Sequence, residues 1–263
     1  MQLKSSNQIH TKGFYFFLSA QFLSALADNA LLFAAIALLT KLNAPTWHQP
    51  LLLQFFVFAY IILAPFVGAF ADAKPKKQVM FFSNGIKLIG CLAMLFGMPP
   101  LYAYSIVGIG AAAYSPAKYG ILTEILPENS LVAANGWVEG STVAAIILGA
   151  IFGGVIAVYD VDLAIITISI LYLIAAIFNK YMPDVPINHK LKKNDPWSLI
   201  KDFFSSYKKL WADPLGQLSL TITTLFWGAG ATLRLVIIGW AAYVLGYGLD
   251  KSTTLSATVA LGV

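Results

Sequence analysis

The sequence is dominated by long runs of apolar residues separated by short polar connections. Seven runs approach or exceed the length of a membrane-spanning helix, about 17–25 residues, and an eighth begins near Ser252. The seven are 14–40, 51–71, 79–98, 101–117, 131–159, 163–179 and 215–249. A backbone in lipid must satisfy its own hydrogen bonds, and these runs lack the apolar–polar alternation of barrel strands. They are therefore predicted to be helices, giving an all-α, polytopic membrane protein.

Composition excludes a water-soluble globule. Charged residues make up only 11% of the chain, whereas soluble domains carry about 25%. The net charge of +5 does not indicate a nucleic-acid partner, because the charges cluster between the apolar runs. The first run, from Phe14 to Thr40, is too long for the core of a signal peptide and is interpreted as a retained span.

The basic residues predict the orientation of the chain. With the N-terminus in the cytoplasm, 13 of the 17 basic residues fall in cytoplasmic segments and 2, Lys41 and Lys251, in external loops. The 13 are Lys4, Lys12, Lys74, Lys76, Lys77, Lys118, Lys180, Lys190, Lys192, Lys193, Lys201, Lys208 and Lys209. By the positive-inside rule we expect a multi-pass protein of the bacterial inner membrane with a cytoplasmic N-terminus.

A polar segment, residues 183–214, divides the chain into domains. Residues 1–182 are predicted to form a bundle of six membrane helices, and residues 215–263 to begin a second bundle with one full span and part of the next. Within the linker, Asp195-Pro196 is typical of a helix start, and apolar residues then recur at helical spacing beside lysines. This pattern predicts an amphipathic helix, either on the inner membrane surface or packed on protein.

Six spans, a basic linker and further spans resemble the plan of the major facilitator superfamily, which is built from two six-helix halves. The resemblance implies a complete N-terminal half and a truncated C-terminal half. Because Val263 lies inside an apolar run, we interpret the sequence as a truncated product or a fragment.

The connection between the second and third spans resembles the cytoplasmic loop motif of this superfamily. Gly68 is followed by Asp72 and then by Lys76 and Lys77, while Ala73 stands where an arginine is usual. The glycine is expected to allow close helix approach, and the aspartate to pair with basic groups or a helix N-terminus at a cytoplasmic gate. The alternative is an ordinary charged turn.

Three further blocks narrow the resemblance to the bacterial lysophospholipid transporter family. They are Ala27-Asp28-Asn29-Ala30-Leu31, Tyr114-Ser115-Pro116-Ala117-Lys118-Tyr119-Gly120-Ile121-Leu122 and Leu131-Val132-Ala133-Ala134-Asn135-Gly136-Trp137-Val138-Glu139-Gly140. The resemblance implies a flippase that moves lysophosphatidylethanolamine and related lysolipids to the cytoplasmic leaflet. It also implies a functional link to a cytoplasmic lysophospholipid acyltransferase, which would re-acylate them.

Two charges of opposite sign lie at similar depth in the predicted spans. Asp28 precedes Thr40 by 12 residues and Arg234 precedes Tyr247 by 13, so both lie roughly 18–20 Å from the external ends of their helices. Charges at this depth are costly and are usually functional. We expect them to meet in one conformational state and to bind a zwitterionic headgroup when they separate; the alternative is a static structural pair.

Three more charged residues are candidates for the substrate or gating site. Lys87 and Glu139 each lie eight residues from the cytoplasmic ends of their runs and are expected to pair, although Lys87 could instead snorkel towards water. Lys118, after Pro116, is expected to bind phosphate or pair with Glu139, with a plain positive-inside anchor as the alternative.

The sequence contains no nucleotide-binding loop and no His or Cys pattern for a metal. No cofactor is therefore expected, and an enzyme is disfavoured because no nucleophile and base stand together. The remaining alternative is another facilitator, such as a drug or organic-ion antiporter that uses Asp28 as its proton site.

Overall fold

The computed structural model describes residues 11–183 and 195–258. Its helices are α1 (Lys12–Lys41), α2 (His48–Ala73), α3 (Lys76–Leu95), α4 (Pro100–Ile125), α5 (Leu131–Tyr159), α6 (Val161–Lys180), α7 (Pro196–Ala212), α8 (Pro214–Tyr243) and α9 (Leu249–Ala257). The described residues contain no strand, which confirms the all-α prediction. Lys4, Lys190, Lys192 and Lys193, used in the orientation argument, lie outside the described residues.

Six helices in the described part of the chain are long and apolar enough to cross a membrane: α1, α2, α3, α5, α6 and α8. The remaining predicted span, 101–117, lies in α4, a helix of 26 residues that is not among these six. Its second half carries Ser115, Lys118, Thr123 and Glu124. The division into domains at residues 182 and 214 stays a prediction.

Helix α1 forms the centre of the first bundle. Thr11 caps its start by accepting a hydrogen bond from the Phe14 amide, and buried residues then extend from Phe14 to Leu39. Helix α5 packs closely on α1 because its glycines leave room for the α1 backbone. A Cβ at Gly149 would lie 2.7 Å from the Leu26 carbonyl, and one at Gly153 would lie 2.6 Å from Ala30 Cα.

Helix α4 packs between α2 and α3, again through glycines. A Cβ at Gly108 would lie 2.7 Å from the Phe56 carbonyl of α2. On the other side, a Cβ at Gly110 would lie 2.6 Å from the Ser83 carbonyl and 2.8 Å from Lys87 Cγ, both on α3. These contacts bring α4 and α3 together at the depth where Lys87 leaves its helix.

Helices α7 to α9 lie against this bundle with much of their surface uncovered. Helix α7 contains no buried residue and exposes its aromatic side chains, among them Trp197 and Phe204. Helix α8 is mostly exposed as well, whereas α9 packs on α5, with Thr253 against Gly154. The chain therefore places one long helix, α8, across the open side of the first bundle.

Candidate functional site

A polar cavity of about 320 Å³ lies between the first bundle and α8. It is lined by Gln21, Ser24, Ala25, Asp28, Asn29, Leu32, Leu53, Phe56, Tyr60, Lys87, Tyr104, Ala111, Tyr114, Ser115, Lys118, Thr142, Ile146, Trp227 and Arg234. Four of the five charged residues predicted for the substrate site line it together. The fifth, Glu139, lies outside it.

Asp28, on α1, is held by two groups from other helices. Lys87 Nζ of α3 donates a hydrogen bond of 2.8 Å to its Oδ2, and the Tyr172 hydroxyl of α6 donates one of 2.7 Å to its Oδ1. The expected pair of Asp28 with Arg234 is not formed in the described structure; since it was expected in one conformational state, it stays a prediction. The pairing occurs inside the first bundle because Lys87 is near enough in depth and faces α1.

Lys87 is buried, with 1% of its side chain exposed. Its ammonium also donates to Ser24 Oγ at 2.9 Å and lies 4.8 Å from the centre of the Tyr114 ring. Ser24 in turn donates to Asn84 Oδ1 at 2.7 Å. Both sequence expectations for Lys87 are wrong in this structure, because it pairs with Asp28 instead of Glu139 and does not reach towards water.

Arg234 approaches α1 from α8. Its Nη1 donates to Asn29 Oδ1 at 3.1 Å, and the guanidinium lies 4.9 Å from the centre of the Phe33 ring. Its Nη2 is buried and has no hydrogen-bond partner in the described structure. Buried donors are normally paired, so this unpaired guanidinium nitrogen at the cavity wall has the hydrogen-bonding capacity to take up an anion.

Lys118 is buried, with 8% of its surface exposed, and its contacts are weak. Its Nζ lies 3.4 Å from Thr142 Oγ1 and 4.7 Å from the centre of the Tyr119 ring. The expected pair with Glu139 is not formed among the described residues. Glu139 instead accepts a 3.0 Å hydrogen bond from the Tyr119 hydroxyl.

The loop motif forms a compact ionic contact at the ends of α2 and α3. Lys76 is buried, and its Nζ lies 2.7 Å from Asp72 and 3.6 Å from Glu124 of α4. Lys76 therefore supplies a cation to Asp72 although Ala73 replaces the usual arginine. The expected close approach at Gly68 is not seen, because a Cβ there would meet nothing within 4 Å. Lys77 follows Lys76 in the first turn of α3 and is partly exposed.

Tyr172 is fully buried beside Asp28 and belongs to the site, but sequence reasoning missed it. Nothing in the sequence separates it from the other tyrosines, of which the chain has 12 in all. The Lys87 partnership does have a signal in the sequence. Lys87 precedes Met98, the predicted external end of its run, by 11 residues, which places it about 16 Å from that end. Measured from the same end, Lys87 and Asp28 therefore lie at nearly equal depth.

The cavity carries an excess of positive charge. Its lining includes the cations of Lys87, Lys118 and Arg234 and a single carboxylate, Asp28, so the formal sum is +2. Because Lys87 and Asp28 neutralise each other, the excess resides on Arg234 and Lys118. Within the described residues no group of His, Cys, Asp and Glu could hold a metal ion.

A second cavity, the apolar crevice, lies on another side of α1. It measures about 630 Å³ and is lined by Leu18, Ser19, Phe22, Leu23, Trp137, Gly140, Ser141, Ala144 and Phe178 of α1, α5 and α6. A hydrogen bond of 2.8 Å from Gln21 to Thr142 connects α1 and α5 on the side of the polar cavity. The two cavities therefore lie on either side of the contact between α1 and α5.

Residues 17–263 match the sequence profile of the Major Facilitator Superfamily. Among solved structures, a D-xylose-proton symporter superimposes with a TM-score of 0.55 at 14% identity, covering 95% of this chain and 66% of that one. At this identity the likeness concerns the fold alone. It confirms the predicted facilitator-type helix bundle.

Relatives named Lysophospholipid transporter LplT match almost the whole chain. The protein of Serratia proteamaculans is 46% identical over 245 residues, covering 93% of this chain and 62% of the relative. That of Yersinia enterocolitica is 44% identical over 263 residues, covering 100% and 65%. That of Klebsiella pneumoniae is 45% identical over 259 residues, covering 97% and 64%. These matches confirm the resemblance given by the three sequence blocks, and the chain spans just under two thirds of each of these relatives.

Proposed function

The chain belongs to the major facilitator superfamily, and from that membership we propose that it moves lysophospholipids across the bacterial inner membrane. The substrate class is lysophosphatidylethanolamine and related lysolipids, carried to the cytoplasmic leaflet. The names of the relatives at 44–46% identity support this substrate.

The observation that carries the proposal is the unpartnered Nη2 of Arg234 at the wall of the polar cavity. A phosphodiester is the part shared by all lysophospholipid headgroups, and a guanidinium fork binds phosphate oxygens in a fixed geometry. Lys118, with only weak contacts of its own, supplies a second cation in the same cavity. Together they match the charge and the hydrogen-bonding capacity of a headgroup phosphate.

The amine of an ethanolamine headgroup has one candidate partner in the cavity. Asp28 is the sole carboxylate among the lining residues, and both of its oxygens are occupied, by Lys87 and Tyr172. An amine must therefore share or replace these contacts. For this reason we assign recognition of the headgroup mainly to the phosphate.

The acyl chain needs apolar surroundings, and the polar cavity offers them only between its charged groups, at side chains such as Leu53, Phe56 and Ile146. The apolar crevice offers such surroundings on the other side of the α1–α5 contact, and its wall is widened at Gly140, where a Cβ would meet nothing within 4 Å. We therefore place the single acyl chain along this crevice or in the adjoining lipid. The α1–α5 contact separates the two cavities in this conformation, so a headgroup and its acyl chain can occupy them together only after these two helices part.

The proposed orientation is compatible with delivery to the cytoplasmic leaflet. With a cytoplasmic N-terminus, the Asp72–Lys76–Glu124 contact lies on the cytoplasmic side, as a gate towards the inner leaflet would. Delivery to that leaflet would present the lysolipid to a cytoplasmic acyltransferase, which we propose as the functional partner. Transport, rather than catalysis, is the activity that this arrangement supports.

The test is uptake of radiolabelled lysophosphatidylethanolamine by spheroplasts of cells that lack their own lysolipid transporter and express this protein. Arg234→Ala removes the charged hydrogen bonds to phosphate, each worth about 1.5–3 kcal/mol, so we expect uptake to fall roughly 10- to 100-fold. Arg234→Lys keeps the charge but loses the planar fork and should retain part of the activity.

Lys251→Ala is the matched control, because Lys251 is an exposed cation outside the cavity. Its uptake should equal that of the unmodified protein at equal abundance in the membrane. Uptake that does not depend on expression of the protein would contradict the proposed function, and efflux of cationic drugs by the same cells would favour the antiporter alternative.

A further inference from the structure

Asp28 and Arg234 face the same cavity but are held by different groups. Asp28 belongs to a cluster of hydrogen-bonded side chains from α1, α3 and α6, here called the Asp28 cluster. Its members are Ser24, Asp28, Asn84, Lys87 and Tyr172. Arg234 bonds instead to Asn29, the residue that follows Asp28 in the chain.

The Asp28 cluster holds the carboxylate on the side of the cavity away from α8 with buried side chains. Lys87 and Tyr172 are 1% and 0% exposed, whereas 25% of the Asp28 side chain is exposed. The stem of Lys87 passes beside Gly110, where any Cβ would lie 2.8 Å from Lys87 Cγ. The ammonium is therefore fixed by packing as well as by its hydrogen bonds.

A free carboxylate at this position would be a strong competitor for the guanidinium. Arg–carboxylate pairs are often bidentate and are stronger in a site shielded from water. Asp28 is part of the same wall, so its effective concentration at Arg234 would far exceed that of a ligand in the membrane. Among the described residues Arg234 Nη2 nevertheless has no partner, while the two oxygens of Asp28 already accept hydrogen bonds from Lys87 and from Tyr172.

We infer that Lys87 and Tyr172 are positioning residues that hold Asp28 away from Arg234, so that the guanidinium stays available to an anionic headgroup. The inference rests on the proposed function for the identity of that headgroup. The availability of Arg234, however, is a property of the protein alone and is measurable without any transport assay.

Arg234 is the sole arginine of the sequence, which makes it a specific chemical probe. Phenylglyoxal modifies free guanidinium groups, and mass spectrometry of the peptide that contains Arg234 gives the rate of modification. The measurement is made on the protein in native membrane vesicles. In Lys87→Met, Asp28 is released to pair with Arg234, and we expect modification to be roughly tenfold slower.

Adding Asp28→Asn to Lys87→Met removes the competing carboxylate, and modification should return to within about twofold of the original rate. Tyr172→Phe, which keeps the ring and Lys87, should give a smaller slowing, about threefold. It serves as the second test if Lys87→Met does not reach the membrane. A general loosening of the fold would instead make Arg234 react faster in every variant.

The inference is overturned if Lys87→Met and Tyr172→Phe react as fast as the unmodified protein or faster, or if Asp28→Asn fails to restore the rate. Absence of lysolipid uptake would count against the proposed function but would leave these rates interpretable. A positioning role also predicts that Tyr172→Phe raises the KM for lysolipid about threefold with little change in kcat.

Discussion

The Asp28–Lys87 pair makes a quantitative prediction about stability. Breaking a buried ion pair by removing one partner typically costs about 3–5 kcal/mol, because the other charge is left without compensation. The two single variants should differ, since Lys87 is 1% exposed and Asp28 is 25% exposed. Asp28→Asn leaves the more deeply buried charge, Lys87, without its partner and should lower the free energy of unfolding by close to this full amount.

Lys87→Met should cost less, about 2–3 kcal/mol, because Asp28 keeps the Tyr172 hydrogen bond and partial access to the cavity, and because we expect it to pair with Arg234 instead. At about 2–4 °C per kcal/mol for a chain of this size, the unfolding temperature should fall roughly 5–10 °C in Lys87→Met and 10–15 °C in Asp28→Asn. The double variant removes both charges and should remain within about 3 °C of the unmodified protein.

Unfolding can be followed through the exposure of a buried cysteine, Cys91. Cys91 is the sole cysteine of the sequence and is fully buried on α3, so a thiol-reactive fluorescent dye reports its exposure on heating in detergent. Strictly additive losses in the double variant would show that Asp28 and Lys87 do not stabilise each other. Equal losses in the two single variants would refute the argument from their unequal burial.

Two further predictions use neighbouring residues as controls. Gly153→Leu places a side chain against the α1 backbone and should lower the unfolding temperature by about 5–10 °C. In the control Gly136→Leu, the added Cβ meets no atom within 4 Å, and the unfolding temperature should change by less than about 2 °C. Lys76→Met removes the buried cation between two carboxylates and should reduce lysolipid uptake at least about fivefold; Lys74→Met, on an exposed neighbour, should not. Uptake assays and the dye assay check these results, and equal behaviour within either pair would contradict them.

The helices of the first bundle follow directly from the sequence because a lipid environment permits few alternatives. A run of apolar residues in lipid must be helical, so its position in the sequence nearly determines the element. The observed helix ends differ from the predicted ones by a few residues. Helix α3, for example, was predicted at 79–98 and is found at Lys76–Leu95. Helix α4 is not among the six most apolar helices although its run, 101–117, has no charge, because that run includes three tyrosines, two serines and Pro116.

The partners of the charges were harder to predict than the charges themselves. Helical rotation decides which neighbour a side chain faces, and residues 28, 87 and 172 come from three separate helices. Depth alone made Arg234 and Lys87 equivalent candidates for Asp28. Packing decides between them, because Gly110 lets α3 and α4 approach closely enough to direct Lys87 into the bundle.

The pairing of Asp28 with Lys87 affects how strongly α8 is held to the first bundle. Had Asp28 paired with Arg234, separating the two would have left two opposite charges without partners in a low-dielectric site, at a cost of several kcal/mol. With Asp28 neutralised inside the bundle, the described polar contact between Arg234 and α1 is one hydrogen bond to the neutral Asn29 side chain. Such a bond is worth about 1.5–3 kcal/mol, and a bound phosphate can replace it. The contact of Arg234 with α1 is thus separate from the Asp28 cluster, and we expect a change in the position of α8 to leave that cluster intact.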